Sequence, residues 1–139
     1  MTEPVRPFSE AVAHSLALYR NHLEFYGYQV EEEEEDVLLC RHRRKPNLIL
    51  RAVDQRGVLV SSIYAVQDHP HLELLEWVNA LNADFIFLKA WIDWEESSLQ
   101  LETFSEGEYD RSNFALLLDN VEYDLQRLFQ DDNTLRYLQ

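Results

Sequence analysis

Apolar residues recur at helical spacing near the start of the chain. Intervals of four and three residues put them on one face of an amphipathic helix. Ser9 is suited to cap the start of this helix, and Gly27 is suited to end it. The repeat consists of Val12, Leu16, Tyr19, Leu23 and Tyr26.

A second helical repeat lies in the middle of the chain, within 72–81. Asp68 is placed to accept hydrogen bonds from the first backbone N–H groups, and Pro70 is tolerated in the first turn. Asn82 is suited to the left-handed conformation that ends many helices, so we expect the helix to stop there. Its apolar face contains Leu74, Leu75, Val78 and Leu81.

A third helical repeat occupies the C-terminal part, with Asp110 or Ser112 as its cap. Its apolar positions are Phe114, Leu118, Val121, Leu125 and Leu128, widened by Leu117 and Phe129. The tail from Asp131 is expected to fray. The alternative is that its apolar residues fold back onto the body: Leu135, Tyr137 and Leu138.

Between the first and second helices, apolar and polar residues alternate with the period of two that is typical of strands. Turn-forming segments at 43–47 and 54–57 divide this region. The predicted strands are 28–31, 37–43, 48–53 and 58–66. Three or four antiparallel strands therefore precede the central helix.

Two alternating runs follow the central helix, at 85–93 and 98–104, and predict a hairpin. In the first run, the face expected to cover the helices contains Ile86, Leu88, Ala90 and Ile92. In the second run, the inner face contains Leu99, Leu101 and Thr103, and the face expected to be wet contains Ser98, Gln100 and Glu102.

Three aromatic residues on the outer face of the first run are the candidates for binding a partner: Phe85, Phe87 and Trp91. Large apolar groups on an open sheet face often mark an interface. The alternative is that the first helix covers these rings and forms a three-layer core within one molecule. The sequence leaves both possibilities open.

Composition fits a single folded domain over residues 1–139. With 46% apolar residues, the chain is too hydrophobic for disorder. A net charge of −14 argues against binding to nucleic acid or to an anionic membrane surface. The single Cys40, the absence of an apolar leader in the first seven residues and the lack of a long apolar run favour the cytoplasm.

Charge is unevenly distributed along the chain. The acidic run Glu31 to Asp36 is interpreted as a solvated turn or strand end, because it lacks the spaced ligands and glycine of a calcium loop. A basic turn follows at Arg41 to Lys45. Such polarity can orient self-association or a partner, although scattered charges on hairpin turns give the same pattern.

No residue cluster predicts catalysis, a metal or a cofactor. Cys40 and His42 lie two apart on a strand, but a lone half-buried cysteine is usually a small core residue. His69 and His71, with Asp68 and Glu73 nearby, could be drawn as a metal site, yet their rings should diverge at a helix start. With three glycines, the chain has no phosphate-binding loop.

Four segments carry a resemblance to a known family: Val78–Asn82, Lys89–Asp93, Leu99–Glu102 and the terminal helix at 112–129. Over these segments the chain resembles the bacterial YbjN family, described as sensory-transduction regulators, whose fold is similar to that of class I type III secretion chaperones. Asn79 and Asn82 stand where the family's asparagines are expected. The resemblance implies a small acidic α+β protein, often a homodimer, with no catalytic residues and no cofactor.

Taken together, the pattern predicts an α+β fold in the order α-β-β-β(-β)-α-β-β-α, with an antiparallel twisted sheet and helices packed on one face. The expected function is noncatalytic binding of another protein or of a second copy, as a regulator or as a chaperone-like holder of an extended segment at a sheet edge or groove. The alternative is a small-molecule-binding or enzymatic domain with a pocket between helix and sheet.

Overall fold

The structure, a computed structural model, describes the backbone of residues 8–139 and the side chains from Leu16 onward. Ser9 and Val12 therefore lie outside the residues whose side chains are described. None of the helices in this part of the chain has the length and apolar content needed to cross a bilayer. The elements are α1 (Phe8–Phe25), β1 (Gln29–Glu34), β2 (Val37–Arg41), β3 (Leu48–Val53), β4 (Gly57–Ala65), α2 (His71–Asp84), β5 (Lys89–Asp93), β6 (Ser98–Glu106), α3 (Arg111–Gln130) and α4 (Asp132–Tyr137).

The six strands form one open antiparallel sheet in the order β1-β2-β3-β4-β6-β5, so β1 and β5 are its edges. This confirms the predicted α+β class and the predicted order of elements. Four strands, rather than three, precede α2, and the short helix α4 follows the last predicted helix.

Two compact units make up the chain, Met1–Val60 with Phe104–Arg111 and Ser61–Thr103 with Ser112–Gln139. We call them the first and second units. In the first unit, α1 packs on β1 and β2, and Leu16, Tyr19 and Leu23 of the predicted apolar stripe are buried. The prediction that Tyr26 also belongs to this stripe is wrong, because Tyr26 lies beyond the end of α1 and is exposed. The buried residues of this unit include Leu16, Tyr19, Leu23, Val30, Leu38, Leu48 and Leu50.

Helix α1 ends in the glycine motif that the sequence predicts. Gly27 has a φ of +94°, which residues with a Cβ rarely adopt. Its N–H donates to the carbonyl of Glu24, and the N–H of Tyr28 donates to the carbonyl of Leu23. These two bonds form a Schellman motif and satisfy carbonyls at the helix end.

In the second unit, α2 packs against β5 and buries the face formed by Leu74, Trp77, Val78 and Leu81. Leu75, predicted on this face, is exposed. Trp77 lies on the buried face of the helix in place of Leu75. The core also contains Leu99, Leu101, Phe114, Val121, Leu125 and Leu128.

The boundaries of α2 differ from the prediction at both ends. Pro70, not Asp68, is the N-cap residue, and no side chain caps this end. At the other end the helix continues through Asn82 to Asp84, and Phe85 becomes the C-cap residue. The strand therefore begins at Lys89 rather than at Phe85.

The C-terminal tail is ordered, so the prediction that it frays is wrong. Asp131 caps α4 by accepting a hydrogen bond from the backbone N–H of Asn133. Tyr137 stacks on Trp77 with ring centroids 4.7 Å apart, and Leu138 forms a β-bridge with Val66. The fold-back alternative thus holds for Tyr137 and Leu138, whereas Leu135 is exposed.

Candidate protein-binding site

One buried carboxylate anchors the segment 85–88, which joins α2 to β5. Asp124 on α3 is 0% exposed and accepts hydrogen bonds from the backbone N–H groups of Ile86 (3.2 Å), Phe87 (2.7 Å) and Leu88 (2.9 Å). Three donors aimed at one carboxylate offset the cost of burying its charge. The segment therefore has a fixed backbone although it is neither helix nor strand.

This fixed segment holds apolar side chains out of the core. Ile86 is 63% exposed and Phe87 is 40% exposed. The ring of Phe87 meets the exposed ring of Tyr123 edge to face, with centroids 6.2 Å apart. We call Ile86, Phe87 and Tyr123 the Phe87 patch. Apolar groups presented by a rigid backbone are suited to act as binding anchors, since little entropy is lost when they are buried.

A cation borders the Phe87 patch. The guanidinium of Arg127 lies 5.6 Å from the centre of the Tyr123 ring and forms an ion pair with Asp84. The ion pair and the ring together hold the Arg127 side chain over the junction between α2 and α3. The border of the patch is therefore polar, as is common at protein interfaces.

Asn82 covers the outer side of edge strand β5. Its side-chain amide donates to the carbonyl of Ala90 (2.9 Å), and its side-chain oxygen accepts from the N–H of Ala90 (2.7 Å). In an antiparallel pair, alternate residues direct both backbone groups away from the neighbouring strand. Asn82 takes both of these groups at Ala90, and Asp124 takes the N–H of Leu88. Strand addition at this part of the edge is thereby blocked.

Trp91 lies on β5 beside a buried carboxylate of β6. Its indole N–H donates to Glu102 Oε1 (3.1 Å), and Lys89 Nζ lies 3.1 Å from the same oxygen. These two side chains cover Glu102, so the face predicted to be wet is largely buried at that residue. The Trp91 ring itself remains 43% exposed and held in place by its hydrogen bond.

Two of the three aromatic candidates for partner binding are exposed. From Phe87 to Ile92, exposed and buried residues alternate as predicted, which places Phe87 and Trp91 opposite Leu88, Ala90 and Ile92. The predicted exposure of Phe85 is wrong, because this side chain is buried at the C-cap of α2. The prediction for Ile86 is also wrong. The longer helix shifts the start of the alternation by two residues, so Ile86 points outward and Phe85 inward.

One feature of the sequence indicates that Asp124 is buried, although charged residues are usually exposed. Asp124 lies three residues after Val121 and four before Leu128, within the apolar stripe of α3. A carboxylate at a core position requires partners that neutralise or hydrogen-bond it. That the partners are the N–H groups of 86–88 depends on tertiary structure, and no spacing in the sequence indicates it.

Cys40 is buried in the sheet, and His42 is hydrogen-bonded to the turn that follows its strand. Cys40 is fully buried on β2, and burial raises the pKa of its thiol to about 12, so it is a neutral thiol near pH 7. Nδ1 of His42 accepts hydrogen bonds from the backbone N–H groups of Arg44 (3.0 Å) and Lys45 (3.1 Å). His42 thus shapes the basic turn.

The rings of His69 and His71 have separate neighbours. His69 Nε2 lies 2.9 Å from the carbonyl oxygen of Arg136, and its Nδ1 lies 3.7 Å from Glu73 Oε2. His71 stacks on Trp94 with centroids 4.0 Å apart. Among the described residues, no group of three or more His, Cys, Asp or Glu side chains is arranged to hold a metal ion.

The acidic run forms the exposed end of edge strand β1 and the turn that follows it, as predicted. Glu31 to Glu34 belong to β1, and Glu35 and Asp36 form the turn into β2. Arg20 of α1 bonds to Glu32 (3.2 Å) and to the carbonyl of Val30 (3.3 Å), and Arg41 of β2 lies 3.5 Å from Glu31, so two cations brace this edge. Consecutive charges on an edge strand oppose pairing with another chain.

A crevice in the first unit contains a buried histidine. His22 Nδ1 lies 2.7 Å from the hydroxyl of Tyr109, and exposed apolar side chains, including Phe25, line the opening. Burial, with a smaller contribution from Arg111, lowers the pKa of His22. The volume is about 320 Å³, at the small end for ligand sites. We call it the His22 crevice.

Comparisons with known proteins support the fold. No family model matches this chain, and no curated protein matches it. Among solved structures, the chain is similar to the crystal structure of YbjN from E. coli, a proposed transcription regulator, with a TM-score of 0.71 and 18% sequence identity. The match covers 89% of this chain and 95% of that chain. The fold of this chain is thus YbjN-like, as its sequence indicates.

Proposed function

We propose that this chain is a noncatalytic protein-binding module, of the regulator or chaperone-like kind, that acts in the bacterial cytoplasm. Phe87 and Trp91 are its main anchors, and Ile86 and Tyr123 extend the contact. The observation that carries this proposal is the combination of exposed apolar side chains with a backbone that Asp124 locks. Groups held ready for contact lose little freedom on binding.

The likeness to YbjN is compatible with this proposal. YbjN is described as a proposed transcription regulator, and that description names no binding mode. At 18% identity the likeness carries the fold and no residue role. The function therefore rests on the surface of this chain.

The mode of binding is docking of side chains into the partner's surface, not strand addition along β5. Asn82 occupies both outward backbone groups of Ala90. Adding a strand there would break two hydrogen bonds before making any. This excludes one form of the chaperone-like holder role, in which the client segment adds a strand to the sheet at this edge. An extended client segment must instead lie across the exposed side chains.

Site-specific photocrosslinking tests the proposal. A photoreactive residue at position 87 or 91 should give the same crosslinked protein in cells, while the same residue at the exposed position of Leu116 should not. Identical products at all three positions, or none at 87 and 91, would refute the assignment. The captured protein must then bind the purified chain.

Sedimentation distinguishes a second copy from another protein. If the anchors form a homodimer, wild type sediments as a dimer and Trp91→Glu as a monomer, because a carboxylate cannot be buried there without a partner. A Trp91→Glu variant that remains dimeric would exclude Trp91 from the dimer interface. The anchors would then be available to a different protein.

The His22 crevice supports a second candidate function, binding of a small apolar molecule. The hydrogen-bonded pair of His22 and Tyr109 at an apolar opening supplies a few polar groups in a mostly hydrophobic site. A metabolite-library screen by thermal shift tests this candidate, with Phe25→Ser as the variant that should abolish any shift. A shift that Phe25→Ser leaves unchanged would place the ligand elsewhere.

A further inference from the structure

A crevice in the second unit has an aromatic wall, an apolar floor and an acidic rim. Its volume is about 240 Å³, and its lining includes Val66, Asp68, His71, Leu74, Trp94 and Gln139. Val66 and Leu74 are almost fully buried, whereas Asp68 is exposed. We call it the Trp94 crevice. It is separate in sequence from the residues of the Phe87 patch.

The aromatic wall is held by the turn between β5 and β6. Asp93 Oδ1 accepts hydrogen bonds from the N–H groups of Glu95 (3.1 Å) and Glu96 (3.3 Å). The carbonyl of Ser97 then accepts from the N–H of Val66 (3.0 Å). Trp94 therefore sits on a turn that is fixed at both ends. The His71 ring, 22° from parallel, supports it.

The C-terminal residues close another side of the crevice. Gln139 donates its side-chain N–H to the carbonyl of Val66 (2.9 Å) and its backbone N–H to the carbonyl of Ala65 (3.1 Å). Gln67 donates in return to the carbonyl of Leu138 (2.7 Å). Hydrogen bonds thus hold three segments of the crevice in place: the turn between β5 and β6, residues 65–67 and the C-terminal residues.

Charge in the second unit favours a cation in this crevice. The unit has thirteen acidic residues and three basic ones, and each basic residue already forms an ion pair: Lys89 with Glu102, Arg127 with Asp84 and Arg136 with Glu73. The N-terminus of α2 carries roughly half a positive charge from the helix dipole, which repels a cation. The negative charge of Asp68, together with that of Glu95 and Glu96 on the adjoining turn, is larger than this positive charge.

We infer that the Trp94 crevice accepts an arginine side chain of the protein partner, an inference that rests on the proposed function. A guanidinium can lie flat on the indole of Trp94 and make two parallel hydrogen bonds to the carboxylate of Asp68. The apolar floor receives the methylene stem. Lysine, which lacks the planar group, fits this combination less well. The partner surface is therefore basic as well as apolar.

NMR titration of the full chain with N-acetyl-L-arginine amide tests this inference. The indole N–H signal of Trp94 should shift, while those of Trp77 and Trp91 should not. The citrulline analogue has the same shape without the charge, and we expect its effect on Trp94 to be at least about fivefold smaller. The lysine analogue should fall between the two.

A matched pair of variants isolates the carboxylate. Asp68→Asn should reduce the arginine-induced shift at Trp94 by at least about fivefold, whereas Asp119→Asn, which removes the same charge from the exposed face of α3, should preserve it. Equal effects of the two variants, or equal shifts with arginine and citrulline, would overturn the inference. A partner that still crosslinks at position 87 in that case would leave the proposed function standing. Absence of any partner alongside a specific arginine shift would reject the proposed function and the assignment of the arginine to a protein partner, and would leave only a crevice that binds free arginine.

Discussion

At the scale of the residue, Asp124 determines which side chains the protein presents. Its carboxylate fixes the backbone of Ile86, Phe87 and Leu88, and through that backbone it fixes the Phe87 patch. Without these bonds, three backbone N–H groups near the core would need other acceptors. The residue that fixes this exposed surface is thus itself fully buried.

Replacing Asp124 with asparagine should therefore cost stability. The amide removes the charge and, in either orientation, aims an NH₂ group at backbone donors, so we expect a loss of about 2–4 kcal/mol in the free energy of unfolding. Urea denaturation measures it. Asp119→Asn, on the exposed face of the same helix, should change the value by less than about 0.5 kcal/mol. Similar losses in both variants would contradict the role assigned to Asp124.

His22 should make stability depend on pH. Burial lowers its pKa in the folded state, so on acidification the unfolded chain takes up this proton first, near pH 6.5. The stabilisation is present above that pH and is lost as pH falls through the window below it. His22→Gln should thus show a smaller loss of unfolding free energy between about pH 7.5 and pH 5.5 than wild type. Equal losses would show that His22 titrates alike in both states.

The sequence predicts residue roles well where spacing alone decides them. Leu16, Tyr19 and Leu23 are buried as their spacing indicates, because a helix places them on one face whatever surrounds it. Phe85 was misplaced because its orientation depends on where α2 ends. That end depends on contacts with residues far along the chain, which local spacing does not encode.

At the scale of the element, Asn82 decides how α2 and β5 meet. Sequence rules favour asparagine as a helix terminator, yet here it stays helical and bonds to the backbone of Ala90. The helix extends two residues beyond Asn82, and the strand begins four residues later than predicted. A tertiary hydrogen-bond pair outweighs a local preference of less than about 1 kcal/mol.

The two asparagines of α2 provide an internal comparison. Asn82→Ala should lower the free energy of unfolding by about 2 kcal/mol, because it removes two hydrogen bonds and leaves the backbone of Ala90 without them. Asn79→Ala, at an exposed position of the same helix, should be nearly neutral. Thermal denaturation of both variants checks this. A larger loss for Asn79→Ala would contradict the account of the β5 edge.

At the scale of the whole molecule, the sequence predicts the fold class and the order of the elements but not which side chains are exposed. Alternation and helical spacing suffice for an antiparallel α+β fold, and the likeness to YbjN confirms it. Which apolar residues stay exposed depends on how elements end and on which side chains cover their neighbours. Glu102 illustrates this, since Trp91 and Lys89 bury a carboxylate that alternation places in solvent.

The central claim is that exposed side chains on a locked backbone bind a protein. Its most direct test is the dissociation constant of the crosslinked partner, measured by calorimetry with the purified chain. Phe87→Ser and Trp91→Ser should each weaken binding by about tenfold or more, as expected for anchor residues, while Leu116→Ser, at an exposed leucine of α3, should change it less than about twofold. Unchanged binding by both anchor variants, or an equal loss with Leu116→Ser, would contradict the account.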